Sequence, residues 1–178
     1  QGQLFEGLNI WKEKKYQQLQ GTYPVIYLSF ADVKQTNYKD AVLKIKKIIT
    51  DVYQQYIELA GWEGLTEVQI RQFQSVDPYM DDVTAQCALK DLSGYLYRYY
   101  EKKVIILLDE FDTPMQEAYI HGYWKSLTGF IRSLFNSTFK TNPYMERGLW
   151  IGITRVSKES IFSDLNNLEV VTTTSEKY

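Results

Sequence analysis

The sequence has little cysteine, little histidine and no long apolar run. Cys87 and His121 are the only residues of their kinds among 178, so neither an internal disulfide nor a zinc site of cysteine and histidine ligands is expected. The longest apolar stretch, Val104 to Leu108, is far too short to span a bilayer, and no basic segment leads into an apolar run near residue 1. These absences predict a cytoplasmic chain that makes no membrane contact.

The sequence also lacks an excess of charge of one sign. Twenty basic residues stand against twenty-two acidic ones, which gives a formal net charge of −2. This balance supplies no general attraction toward phosphate backbones, so it argues against nucleic-acid binding by this segment. The apolar content of 44% and the charged content of 24% are typical of one globular domain, which we expect to extend over 1–178.

Short apolar segments alternate with longer amphipathic ones. The apolar segments are typical of strands that are covered on both faces, and they occupy 23–30, 104–108 and 148–154. Helical spacing of apolar residues predicts three main helices between and after them, which end near Gly61, Tyr100 and Phe139, the last with a break near Gly122. Alternating strands and helices predict an α/β fold with a parallel sheet and helices on both faces.

Two of these helices carry start signals. Asp77 precedes Pro78, and an aspartate before a proline in the first turn predicts a helix start there. Thr113 precedes Pro114, and Gln116 is placed to complete a capping box with that threonine.

Two carboxylates, Asp109 and Glu110, end the second apolar segment. Burial of such groups is costly unless something needs them there, and open α/β sheets bind ligands beyond the carboxyl ends of their strands. In nucleotide hydrolases one acid at this place holds magnesium, while a second orients or deprotonates the attacking water. The pattern predicts Asp109 as the magnesium ligand and Glu110 as the base. The alternative is that both residues only cap neighbouring turns.

Thr154 and Arg155 end the third predicted strand at the same edge. A threonine hydroxyl can contact a terminal phosphate, and a guanidinium can contact anionic oxygens through two parallel hydrogen bonds. The end of a strand and the protein surface explain the two residues equally well, so both interpretations stay open. Asp112 stands with Thr113 at a predicted helix start, where capping explains it better than catalysis.

Three segments, VIILLDEFDTP, AYIHGYW and GLWIGITRVSKESIFSDLNNL, together resemble the AAA-ATPase-like family of many anaerobic bacteria. The resemblance covers most of the chain and implies a three-layer P-loop NTPase fold, usually followed by a PD-(D/E)XK nuclease-like domain. It implies that Asp109 and Glu110 form the Walker B pair. It also implies that Thr154 and Arg155 belong to the sensor segment.

The sequence departs from the family pattern at the phosphate loop. Family members carry Gly-x-x-x-x-Gly-Lys-Ser/Thr upstream of the LFEGL segment, whereas no glycine of this sequence is followed by lysine. We therefore expect a partial domain, the Walker B and sensor portion, that is missing its first strand and phosphate loop. Magnesium and ATP should bind in the intact protein, and neither should bind tightly to this chain alone. Ser160 and Asn166 match further family positions, although local capping also explains Ser160.

The family's strand order predicts which strands are neighbours. The missing first strand would lie beside the Thr154 strand, and the Walker B strand would separate the Thr154 strand from the Tyr23 strand. This order exposes one edge of the Thr154 strand and an apolar face, which predicts self-association.

Three functions agree with these observations. The first is a portion of an ATPase that hydrolyses ATP only in the full-length protein, which leaves open whether this chain is itself an enzyme. The second is a degenerate ATPase-like module that binds or regulates a protein partner. The third is a magnesium-dependent phosphotransferase built on Asp109, Glu110 and Asp112, whose signature would be metal binding by this chain alone.

Overall fold

The computed structural model describes residues 2–153 and 168–172 of the chain. Within these residues the chain forms a parallel sheet of three strands, β1 Val25–Ser29, β2 Val104–Asp109 and β3 Met145–Ile151. The α-helices are α1 Lys14–Leu19, α2 Tyr38–Gln54, α3 Glu67–Gln74, α4 Asp82–Tyr100, α5 Thr113–Ile120 and α6 Trp124–Phe135. Short 3-10 turns occupy Gly2–Phe5, Asn9–Lys12 and Ile57–Gly61, and a π-helical turn, Asn136–Lys140, follows α6. The predicted α/β fold with a parallel sheet is confirmed.

The central strand of the sheet is β2, which pairs in parallel with β1 and with β3. The three strands end together, because Ser29 is in register with Asp109 and Asp109 with Ile151. We call this end of the sheet the carboxyl edge. The order confirms the expectation that the acid-bearing strand separates the other two.

One face of the sheet is covered by helices. Side chains of alternate strand residues point to this face and are buried, among them Ile26, Leu28, Ile106 and Leu108. The helices α2 and α4 contact the sheet, and α6 packs against both of them, so the three helices form one layer. We call this side the covered face.

The other side, which we call the open face, carries the remaining strand side chains. Val25, Tyr27, Leu149 and Ile151 are 38, 51, 52 and 56% exposed, and the β2 residues between them are half-buried. Helices pack around the sheet as predicted, but within residues 2–153 and 168–172 this second face retains accessible apolar side chains. The uniformly apolar strands had predicted burial on both faces.

The end of α2 differs from the prediction. The helix ends at Gln54, and a 3-10 turn carries the chain on to Gly61, which does not take the left-handed conformation expected of it. Tyr56 leaves helical geometry, and its hydroxyl donates a hydrogen bond of 2.6 Å to the carbonyl of Val25. This bond fixes the end of the helix to the beginning of β1.

The start of α4 lies four residues after the predicted position. The Asp77 side chain accepts a hydrogen bond from the Tyr79 amide at 2.6 Å and so forms a turn of its own. Asp81 is the residue that caps the helix, because its side chain accepts from the Thr84 amide at 2.8 Å. The hydrogen bonds from the Thr84 amide and from the Thr84 hydroxyl hold the pKa of Asp81 below its usual value.

The third strand begins earlier than predicted, at Met145 rather than Gly148, and it ends at Ile151. Pairing starts where the Val104 amide donates to the Tyr144 carbonyl at 2.9 Å. Glu146 and Arg147 therefore belong to the strand, and charged residues are common on such edge strands because they discourage unwanted pairing.

No helix of residues 2–153 or 168–172 combines the length and the apolar character that a membrane span requires.

Candidate functional site

Asp109 lies at the carboxyl edge, at the end of the central strand. Its backbone belongs to the sheet, and its carbonyl accepts a hydrogen bond from the Phe30 amide at 2.9 Å. Its half-buried side chain alternates with the covered residues of β2 and so points to the open face, where the Tyr27 hydroxyl lies 3.4 Å from one carboxylate oxygen. Asp109 is therefore fixed by the strand while its carboxylate stays accessible.

Glu110 turns the chain away from the sheet. Its φ is +52°, in the left-handed region that costs a residue with a side chain about 1–2 kcal/mol. The Thr113 hydroxyl donates a hydrogen bond of 3.1 Å to its carboxylate, and the Thr113 amide donates one of 3.1 Å to its carbonyl. Backbone strain of this kind concentrates at functional sites, and here it holds the half-buried carboxylate beside the end of β2.

The beginning of α5 differs from the prediction. Asp112, not Thr113, occupies the N-cap position, and its side chain makes no capping hydrogen bond. The Thr113 hydroxyl is directed to Glu110, and the Gln116 amide group donates to the Asp112 carboxylate at 3.0 Å. The expected capping box is therefore wrong, because both side chains bind carboxylates that precede the helix.

Asp112 is completely buried, with no exposed side-chain surface. Its Oδ2 atom accepts hydrogen bonds from Gln116 at 3.0 Å and from the backbone amide of Ile153 at 3.1 Å. The acid thus joins the start of α5 to the chain that follows β3. In the described part of the chain no three histidine, cysteine, aspartate or glutamate side chains are grouped to hold a metal ion, which argues against a three-carboxylate site with Asp109 and Glu110.

The chain that follows β3 passes close to the residues that follow β2. The Phe111 amide donates to the Ile151 carbonyl at 3.3 Å, and the Phe111 ring lies 5.8 Å from the Trp150 ring. A Cβ atom on Gly152 would lie 2.5 Å from Asp112 Oδ1, which is too close for any side chain. The two segments therefore meet in a fixed arrangement at the carboxyl edge.

The predicted site residues are only partly within the described structure. Asp109 and Glu110 lie side by side at the carboxyl edge, as predicted. Thr154 and Arg155 lie outside the described residues, as do the positions of Ser160 and Asn166.

Sequence reasoning did not assign Tyr27, Thr113 or Gly152 to this site. A signal for Tyr27 exists, since residues two apart in a strand share a face and Ser29 ends β1 beside Asp109. No comparable signal exists for the other two, because their contacts depend on a turn that the sequence pattern does not specify.

An open cleft lies elsewhere, between α3 and α4. It has a volume of about 310 Å³ and is lined by Tyr53, Cys87, Asp91 and Tyr95 among others, none of which belongs to the carboxyl edge. Partial desolvation raises the pKa of Asp91, although the residue keeps an exposed side. A second cleft beside it also contains Asp91 and Tyr95. Neither cleft is lined by a residue of the carboxyl edge.

An open parallel sheet with acids at the end of its central strand defines an α/β protein of the class that binds ligands at the carboxyl edge. The sequence model of a family described as predicted AAA-ATPase matches residues 1–162. The chain therefore belongs to the AAA-ATPase-like family. No match was found among curated proteins or among solved structures.

Proposed function

We propose that this chain is the Walker B portion of an ATP-hydrolysing domain, in which Asp109 helps to hold magnesium and Glu110 activates water. The observation that carries the proposal is the pair of adjacent carboxylates at the carboxyl end of the central strand, one on the sheet and one on a strained turn. Family membership supports nucleotide hydrolysis as the reaction class.

The donors at the carboxyl edge fit magnesium. This ion prefers oxygen ligands, keeps several waters and is usually bound by one or two carboxylates together with substrate phosphates. Asp109 offers an accessible carboxylate whose orientation is supported by the Tyr27 hydroxyl at 3.4 Å. When bound, magnesium would neutralise charge that develops on the phosphate oxygens.

The Glu110 carboxylate is suited to orient water and accept its proton. The Thr113 hydroxyl occupies part of its hydrogen-bonding capacity, which fixes the group without neutralising it. A positioned base of this kind contributes about 10²–10⁴-fold to a rate. Thr154 and Arg155 remain proposals, the first as a contact to the terminal phosphate and the second as a bidentate contact to its oxygens.

The phosphate loop is the part that this sequence does not supply. We propose that it lies upstream in the full-length protein, next to the edge of β3 that no other described strand pairs with, and that magnesium and ATP bind tightly only there. Backbone amides and a lysine of such a loop hold the phosphates, and none of the glycines here is followed by lysine.

The test compares Glu110→Gln with Glu101→Gln in the full-length protein. Glu101 is a matched control because it also has a positive φ, of +54°. It follows α4 and precedes the first residue of β2, so it lies at the end of the strand opposite to Glu110. We expect Glu110→Gln to keep ATP binding and to lower kcat at least 100-fold, since an amide cannot accept the proton. Glu101→Gln should change neither. Unchanged turnover in Glu110→Gln would remove Glu110 as the base.

Calorimetric titration with magnesium and ATP tests the role of the upstream loop. We expect heat of binding from the full-length protein and none from this chain alone. Tight binding by this chain alone would contradict the proposed division between the two segments.

A second candidate function is a degenerate ATPase-like module that binds a protein partner. The observation in its favour is the exposed corner between α5 and α6, where Tyr119 and Ile120 are 75 and 69% exposed. Wild-type turnover in the full-length protein would exclude this alternative.

We also propose that this chain associates with itself through the outer edge of β3 and the open face. Leu149 and Ile151 present apolar surface there, and within residues 2–153 and 168–172 no strand pairs with the second side of β3. An exposed strand edge beside an apolar surface favours pairing with another chain.

A further inference from the structure

The Asp112 carboxylate is buried at the start of α5, where it makes no capping hydrogen bond. The start of α5 is already supported through the Asp112 backbone, whose carbonyl accepts hydrogen bonds from Met115 and Gln116 at 3.0 Å each. Its carboxylate instead reaches the Ile153 amide, 41 positions along the chain. Burial of a carboxylate costs free energy unless hydrogen bonds compensate for its lost hydration. Because capping does not explain this contact, another role is needed for it.

The contact joins two segments that the proposed reaction must hold in register. On one side Asp112 is two residues from Glu110 and one from Thr113, which donates to the Glu110 carboxylate. On the other side Ile153 directly precedes Thr154 and Arg155. A carboxylate accepts stronger hydrogen bonds than a neutral group, so the Asp112 bond is a firm link between the segments.

Gly152 and Phe111 pack closely around the hydrogen bond between Asp112 and Ile153. Gly152 approaches so closely that an added Cβ would lie 2.5 Å from Asp112 Oδ1 and 2.7 Å from the Phe111 ring. The Phe111 amide adds a second link, a hydrogen bond of 3.3 Å to the Ile151 carbonyl. A side chain at position 152 would therefore displace the Asp112 carboxylate or the Phe111 ring.

We propose that Asp112 is a positioning residue that fixes the Glu110 carboxylate relative to the end of β3. This proposal rests on the function proposed above. Displacement of a reacting group by about 1 Å can cost on the order of 100-fold in rate. Asp112 itself need not touch substrate to have such an effect.

The first measurement is hydrogen exchange of the Ile153 amide in this chain, which requires no nucleotide. Asp112→Ala removes the acceptor, so we expect the Ile153 amide to exchange at least about 10-fold faster. Asp112→Asn keeps one acceptor oxygen and should show a smaller increase. Gln116→Ala is the matched control, because it removes the other donor to Oδ2 and leaves the Ile153 bond in place.

The second measurement is steady-state ATP hydrolysis by the full-length protein. We expect Asp112→Ala to lower kcat by about 10–100-fold while the Kd for ATP stays within about 2-fold, with partial rescue in Asp112→Asn. Gly152→Ala should lower kcat in the same way, since its Cβ forces the turn away from Asp112. A purely structural role would lower the melting temperature and leave kcat unchanged well below it.

The outcomes separate this inference from the function on which it rests. Loss of turnover in Glu110→Gln with normal kcat in Asp112→Asn and Gly152→Ala would overturn the role of Asp112 and keep that of Glu110. Normal turnover in Glu110→Gln would overturn the proposed function itself. If Asp112→Ala does not fold, Asp112→Asn and the exchange of Ile153 decide, and unchanged exchange in Asp112→Asn together with unchanged kcat contradicts the proposal.

Discussion

The two faces of the sheet have similar strand residues and very different surroundings. On the covered face Ile106 and Leu108 are 0 and 2% exposed beneath the helical layer. On the open face their neighbours in the same strand are only half-buried, and Tyr27 directs its hydroxyl to Asp109. The same strands therefore supply the core on one side and the candidate site on the other. Along β2, alternate residues therefore belong to the core and to the open face that carries Asp109.

The largest expected effect contrasts Leu108→Ala with Leu107→Ala. Loss of a fully buried leucine costs about 2–5 kcal/mol of unfolding free energy, and the half-buried Leu107 should cost less than half as much. Urea denaturation of both variants measures the difference. Equal losses would mean that the open face is covered in solution.

A smaller effect is expected inside the helical layer, at Tyr53. Its buried hydroxyl donates to the Ala88 carbonyl at 2.7 Å, and burial raises its pKa well above the usual 10. Because the unfolded chain ionises first, the unfolding free energy should fall as the pH rises above 10. Tyr53→Phe should lose about 1 kcal/mol at neutral pH and weaken this alkaline dependence.

The matched control for Tyr53→Phe is Tyr97→Phe, which removes the hydroxyl of an exposed tyrosine on α4. Denaturant titrations between pH 7 and pH 11 measure both variants. Burial also raises the pKa of Tyr95, to about 12, so a residual decline should persist in Tyr53→Phe. Identical pH profiles for Tyr53→Phe and wild type would contradict the assignment.

The smallest effect on stability is expected at Ile151, on the open face. Ile151→Lys should change the unfolding free energy by less than about 0.5 kcal/mol, because the side chain is already 56% exposed. It should nevertheless reduce self-association, which light scattering over a range of concentrations measures. Val83→Lys, at a 70% exposed position of α4, is the control that should not. A wild-type chain that stays monomeric at high concentration would refute the proposed association.

The sheet could be predicted because its signals are local. A uniformly apolar run that ends in two acids identified β2 and placed Asp109 at its carboxyl end. The breaks at Gly122 and after Tyr100 also lie where predicted. Element ends were less predictable where equivalent residues compete, as when Asp77 forms a turn and Asp81 caps α4.

The candidate site could be predicted only in part. Nothing local indicates that the Asp112 carboxylate binds an amide 41 residues away, or that Thr113 turns toward Glu110. Local spacing favours a capping box there. In the structure the Thr113 and Gln116 side chains instead donate hydrogen bonds to the carboxylates of Glu110 and Asp112. Exposure of one apolar face was expected from the family's strand order and not from the strands themselves, because apolar strands show only that burial is possible.

The backbone of Glu110 has a consequence for protein engineering. A φ of +52° is tolerated far better by glycine or asparagine, so a selection for heat resistance alone should enrich those residues at this position. Both replacements remove the carboxylate that the proposed reaction needs. Heat resistance and turnover should therefore favour different residues at position 110. Variants recovered from a selection for each property would show this conflict.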